Sequence, residues 1–252
     1  MKPTLFVITF LLSQVLHAAP YYRFWRGDKL PALTLLDFQI GLNDLFIPKT
    51  VEQGKGKGLR SYQPVLLSDS KPKGLPDEIA LVAYASKAAY LKLRNSPEGQ
   101  AYGRLHWDYF DKNNSKSLVP DRYRGELQTN HAYDVLNSAA EWQKGISHVR
   151  IHTRDKRRTP SQFHRGFNKM VQSVRAQFPS RGLKSYLVLV SDDYVIQFLL
   201  WKDEASRQKV WSSKVGQHVS RLLGLVSQSH LDTATPINKT QLGFGEGGKP
   251  QF

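Results

Sequence analysis

The sequence predicts an α+β fold built by duplicating one β-α-β-β-α-β unit within a single chain. Three observations predict it. First, short texts recur in the same order half a chain apart. Phe38-Gln39-Ile40-Gly41-Leu42-Asn43 returns as Phe163-His164-Arg165-Gly166-Phe167-Asn168, and Gly58-Leu59-Arg60-Ser61-Tyr62 returns as Gly182-Leu183-Lys184-Ser185-Tyr186. Gly99-Gln100 followed by Arg104-Leu105 returns as Gly216-Gln217 followed by Arg221-Leu222. Second, the offsets of 125, 124 and 117 stay nearly constant, which marks a duplicated domain and excludes a solenoid of short repeats. Third, strand-like and helix-like apolar patterns alternate in the same order in each copy.

The elements follow in chain order. Residues 1–19 are expected to be a secretory signal: Met1-Lys2, an apolar run over 5–16, then Ala18-Ala19-Pro20, with cleavage after Ala18 or Ala19. The first unit spans 20–120. It reads as a strand at 21–26 and a helix at 33–51, then strands at 59–67 and 78–84 around a polar turn at 68–76. An interrupted helix over 87–93 and 98–110, broken near Pro97, leads to a weak strand near 116–119. Residues 121–145 read as a linker carrying a short helix at 131–142. The second unit spans 146–238. Its strand at 148–153 is followed by a helix opened by Thr159-Pro160, with Thr159 as the cap. Strands at 183–190 and 194–201 are joined by Ser191-Asp192-Asp193, Asp203 caps a helix at 204–223, and the last strand is expected at 225–231. The tail, 239–252, is Gly-rich and polar and reads as flexible.

The absence of cysteine excludes disulfides, thiolate metal sites, a cysteine nucleophile and a lipid-modified cysteine. The core alone must hold the chain, which roughly 230 residues can do as two units of about 110. Nothing after the signal is long and apolar enough to span a membrane, so the expected location is periplasmic or secreted.

The unit order is the ferredoxin-like motif. Trp201-Lys202-Asp203-Glu204-Ala205, then Trp211-Ser212-Ser213 and His218, is similar to the third strand and second helix of antibiotic-biosynthesis-type monooxygenases and their haem-degrading relatives. In the first copy, Tyr84-Ala85-Ser86-Lys87-Ala88, Asn95-Ser96 and Tyr102 stand at the corresponding places. The chain thus resembles the dimeric α/β-barrel superfamily in a fused, pseudo-dimeric form. That resemblance implies two four-stranded sheets face to face with helices outside. It also implies monooxygenase-like activity and, at His218, an axial haem ligand. Copy one has Ala101 at the place of His218.

Candidate site residues come from comparing the copies. Arg23-Phe24-Trp25 aligns with Arg150-Ile151-His152. Period-two alternation puts Phe24 and Ile151 on one face, expected to pack on the helices. Arg23, Trp25, Arg150 and His152 then face the space between the sheets or its mouth, where the two arginines could clamp an anionic ligand; the alternative is that the faces diverge at the barrel ends and these residues are solvated or paired with Asp and Glu. Tyr62, Tyr84 and Tyr186 read as core aromatics. Trp201, equivalent to Tyr84, is a candidate for a pocket wall and joins the ligand-binding set. His148 and His152 lie about 13 Å apart along one strand and cannot share a metal. His106, His131 and His230 are isolated, and no metal signature is present. Gly54-Lys55-Gly56-Lys57-Gly58 lacks phosphate-loop spacing and reads as a helix C-terminal loop.

The formal net charge is +15. The densest basic stretch contains Arg154, Lys156, Arg157 and Arg158, a candidate polyanion-binding patch. Two functions follow. One is an exported barrel protein that binds a small anionic or aromatic ligand, with monooxygenase-like activity as its enzymatic form. The other is a non-catalytic envelope protein that holds an anionic polymer or a protein through its basic surface. An intracellular nucleic acid is a poor partner for an exported chain. The sequence names no reaction and no catalytic residue.

Overall fold

The computed structural model describes residues 20–237, so the expected signal (1–19) and tail (239–252) lie outside the described residues. The first unit contains β1 (Tyr21–Gly27), α1 (Leu35–Gly41), a π turn (Leu42–Phe46), α2 (Ile47–Gly54), β2 (Leu59–Leu66), β3 (Glu78–Tyr84), α3 (Lys87–Asn95), α4 (Pro97–Leu105) and β4 (Lys116–Leu118). β5 (Asp121–Arg122) and β6 (His131–Asp134) follow. The second unit contains β7 (Ile146–Arg154), α5 (Pro160–Gln177), β8 (Leu183–Val190), β9 (Tyr194–Trp201), α6 (Glu204–Ser212), α7 (Lys214–Gly224) and β10 (Ser227–Pro236). The sheet orders are β2-β3-β1-β4 and β10-β7-β9-β8-β6-β5. The first four strands of each sheet have the same connectivity, so both units are ferredoxin-like and the fold is a tandem duplication.

The repeated texts have local physical causes. Thr159 and Gln162 form a reciprocal capping box at the start of α5. Ser96 ends α3 and caps α4, and Ser213 does the same between α6 and α7. Each kink packs backbone against backbone. A Cβ on Gly99 would lie 1.9 Å from the Leu93 carbonyl oxygen, and one on Gly216 would lie 2.3 Å from that of Val210. The retained glycine is therefore a packing requirement. The first unit has one more residue between Phe38 and Leu59 than the second has between Phe163 and Leu183, and the π turn falls in that interval.

Three apolar layers result. Between the sheets lie Tyr22, Phe24, Ile79 and Leu81 from one side and Val149, Ile151, Leu187, Ile196 and Phe198 from the other. Phe24 and Phe198 meet edge to face at 5.5 Å, and Ser147 donates a hydrogen bond across the layer to Gln63. Phe38, Leu42, Phe46, Tyr62 and Phe110 fill the space between the first sheet and its helices. Phe163, Phe167, Met170, Phe178, Tyr186 and Trp201 fill the second. Each fully buried large apolar side chain contributes ~1.5–3 kcal/mol.

Two expectations are corrected. Where a helix was expected over 131–142, residues His131–Asp134 form β6, antiparallel to β8. The local pattern of that short segment is ambiguous, and an unpaired β8 edge supplies backbone partners that decide it. The equivalent edge in the first unit, β2, carries Pro64 instead, which removes a donor from an edge strand. The last strand also begins later and runs longer than expected, Ser227–Pro236, paired with β7 along its length.

Candidate functional site: a cavity under the helices of the first unit

A cavity of about 340 Å³ lies between the first sheet and its helices. That volume falls in the range of small-molecule sites. β1 supplies Arg23 and Trp25, β2 supplies Tyr62, and β3 supplies Val82 and Tyr84. Phe46 of the π turn, Thr50 of α2, Tyr90 of α3 and Tyr102 of α4 close it from above, with His106 just beyond. Arg94 and Trp107, the latter 39% exposed, stand at its rim. The aromatic rings hold one another edge on. Trp25 lies 5.3 Å from His106 and 5.1 Å from Phe110, and Phe46 lies 4.8 Å from His106.

Several of the polar groups are held by hydrogen bonds. Arg23 donates through Nε to the Ser117 hydroxyl at 2.9 Å and through Nη1 to the Tyr90 hydroxyl, and its guanidinium lies 4.7 Å from the Tyr90 ring centre. Among the described residues no acidic side chain lines the cavity. Tyr102 and Thr50 share a hydrogen bond of 2.5 Å. Nδ1 of His106 faces the Tyr102 carbonyl at 3.0 Å, so that nitrogen carries the proton. Burial pushes the His106 pKa down to about 4, and the ring is neutral at physiological pH. Behind the wall, Glu78 is 0% exposed and accepts hydrogen bonds from Trp25 Nε1 at 3.0 Å and from the Tyr62 hydroxyl at 3.1 Å. Burial raises its pKa to about 7 against the help of those two donors.

The strand registers correct the alignment of the copies. Tyr84 and Trp201 occupy equivalent places, because Leu59 pairs with one and Leu183 with the other. Tyr21 also pairs with Tyr84, and Ile146 with Trp201. Tyr21 is therefore equivalent to Ile146, Arg23 to His148, and Trp25 to Arg150. The expected match of Arg23 with Arg150 is two residues out of step. The expected facing is also inverted. Phe24 and Ile151 pack between the sheets, while Arg23, Trp25, Arg150 and His152 point toward the helices. The physical reason is that the inter-sheet layer is predominantly apolar, whereas the helix side offers polar partners. The two arginines consequently lie in separate sheets beneath separate helices and form no common clamp.

The remaining candidates are placed as follows. Arg150 is buried, bonds Asp232 through Nε at 2.9 Å, and lies 4.3 Å from the Trp211 ring centre. His148 bonds the same carboxylate at 2.5 Å. Burial would raise Asp232, but the His148 hydrogen bond and the Arg150 charge hold it at about 2. His152 is buried beside Phe167, and burial with the nearby Arg150 charge pushes its pKa down to about 3. Trp201 is fully buried in the helix-side core of the second unit. Arg154 pairs with Asp193 and Arg157 with Asp155, while Lys156 and Arg158 are exposed, with Arg158 Nε on the Leu225 carbonyl. The basic patch is therefore partly neutralised by its own acids.

Haem does not fit the residue proposed for it. His218 is exposed on α7, on the side away from buried Gly216, Val219 and Leu223, and does not line the first-unit cavity. Among the described residues no cluster of three His, Asp or Glu side chains is arranged to hold a metal ion. No helix among them is long and apolar enough to cross a membrane.

Sequence reasoning missed Glu78, Tyr90, Tyr102 and His106. Their signals were faint. Glu78 is a lone carboxylate opening an otherwise apolar strand, and His106 looked isolated because its partners come from β1 and the π turn. Tyr62 and Tyr84, expected in the core, line the cavity.

No protein-family model and no curated protein matches this chain. Among solved structures, a candidate monooxygenase from Lactobacillus acidophilus NCFM aligns over 87% of this chain and 95% of its own, at 7% identity and a TM-score of 0.43. A candidate monooxygenase from Fusobacterium nucleatum aligns over 88% and 94%, at 9% identity and a TM-score of 0.42. SnoaB, a cofactor-independent oxygenase from Streptomyces nogalater, aligns over 36% of this chain and 89% of its own, at 17% identity and a TM-score of 0.30. These are likenesses in the course of the chain, and they leave the chemistry of the cavity to its own residues.

Proposed function

We propose that this chain is an exported protein that binds one small, planar, anionic aromatic molecule in the first-unit cavity. The observation that carries the reading is the composition of the wall: aromatic rings on every side, Arg23 and Arg94, and no acidic side chain. Rings supply stacking area, and an arginine without a carboxylate partner favours a negatively charged group on the ligand. Oxygenase-like turnover of that ligand is the enzymatic form of this reading. It would show as oxygen consumption dependent on both ligand and protein.

The test uses 2-naphthoate as probe, followed by tryptophan quenching and thermal stabilisation. The expected result is saturable binding at one site per chain, weakened about tenfold or more by Arg23→Ala, the size of one charge-assisted hydrogen bond. Binding unaffected by Arg23→Ala would remove the anionic clause, and no saturable binding would remove the reading. N-terminal sequencing of the mature protein checks export, with a start at Ala19 or Pro20 expected.

A further inference from the structure

Glu78 is a carboxylate placed where carboxylates are costly. It is fully enclosed, and among the described residues no cation pairs with it. Its two donors, Trp25 from β1 and Tyr62 from β2, both line the cavity, so the carboxylate stands one side chain behind the wall. The polar groups facing this corner from the helices are the Thr50 and Tyr102 hydroxyls, both neutral. The second unit removes the device while keeping its frame. Tyr186, equivalent to Tyr62, donates instead to the Gln197 amide oxygen at 2.7 Å, and Val195 stands at the place of Glu78. At this strand position a group able to accept a proton is thus present in the first unit and replaced by an apolar side chain in the second. A fully buried, unpaired carboxylate beside a cavity is a candidate for proton chemistry.

We propose that Tyr62 and Glu78 form a proton relay that ionises a phenolic or enolic hydroxyl of the bound ligand. This rests on the ligand reading above. The ligand O–H bond breaks as its proton passes to the Tyr62 hydroxyl oxygen. The original Tyr62 O–H bond breaks in turn, and that proton bonds to Oε1 of Glu78. The electron pair stays on the ligand oxygen, whose charge Arg23 balances. A carboxylate and a neutral ligand become a carboxylic acid and an anionic ligand, so the cavity gains no charge and nothing is oxidised. The raised pKa of Glu78 suits it to hold the proton under near-neutral conditions.

The experiment uses the mature protein with 2-naphthol at about pH 8, where Glu78 is ionised and the free probe is not. Absorbance reports naphtholate, and calorimetry in two buffers of different ionisation heat counts protons exchanged. The expected result is bound naphtholate with no proton released. Glu78→Gln is nearly isosteric, and its amide can accept from Trp25 through the oxygen while donating to the Tyr62 hydroxyl through the nitrogen. It should bind un-ionised probe or release one proton per probe formed as naphtholate. Tyr62→Phe should bind un-ionised probe, and Tyr186→Phe should behave as wild type. Un-ionised probe or proton release in the wild type, or a Glu78→Gln protein indistinguishable from it, overturns the relay. If un-ionised 2-naphthol binds well, the relay alone falls. If neither 2-naphthol nor 2-naphthoate binds, both proposals fall.

Discussion

The two units share strand order, capped kinks and a strand-two tyrosine, yet the space between sheet and helices that is a cavity in the first holds Phe178, Trp201 and Trp211 in the second. The difference lies in a few equivalent positions. Where the first unit has Arg94 at its rim, the second has Trp211, which lies 5.4 Å from Phe178 and 6.5 Å from Trp201 and covers Arg150. Where the first has Trp25, Arg23 and Ser117, the second has Arg150, His148 and Asp232, in which both the arginine and the histidine bond the one carboxylate. Duplication supplies two similar spaces under the helices. Internal partners consume one, and the other keeps a cation with no anion.

Trp211→Ala should have the largest effect. Truncating a packed tryptophan costs about 3 kcal/mol and leaves a cavity. Chemical denaturation should show that loss, and titration should show a second, weaker 2-naphthoate site. A loss below about 1 kcal/mol would mean that Trp211 is no plug.

The pH dependence of stability separates the units next. Glu78 has an ordinary value of 4.5 and a folded pKa of about 7, so the fold binds its proton more tightly than the unfolded chain does. Its penalty is absent in acid and grows as pH rises from about 4.5 through 7, approaching about 3 kcal/mol. Glu78→Gln should flatten that decline. His152 in the second unit acts in the opposite direction. Its pKa is lowered from 6.5 to about 3, so below 6.5 the unfolded chain takes up a proton that the fold refuses. Stability is lost as pH falls through that window, in company with His148 and with His106 of the first unit. Denaturation midpoints measured across pH check both signs.

The smallest effect on stability should come from Arg94→Trp, which places the second unit's plug in the first. At this exposed position the change in stability should stay within about 1 kcal/mol, while 2-naphthoate binding should disappear. Binding that survives the substitution would break the equivalence of the two positions.

Composition and spacing determined the duplication, the β-α-β-β-α-β order, the caps at Thr159 and Asp203 and the break near Pro97, because these depend on local chain geometry. Alternation separated Phe24 from Arg23 and Trp25, but it could not say which face meets the helices. Only the packing of two sheets decided that, by reserving the inter-sheet layer for Phe24, Ile151 and Phe198. Tertiary pairing also made residues His131–Asp134 a strand, since an open β8 edge outweighed weak local preference. The cavity, the enclosure of Glu78 and the plug at Trp211 depend on side chains that meet from distant parts of the chain. A one-dimensional pattern carries residue identities and periods but no depth, and burial is what gives Glu78 its chemistry.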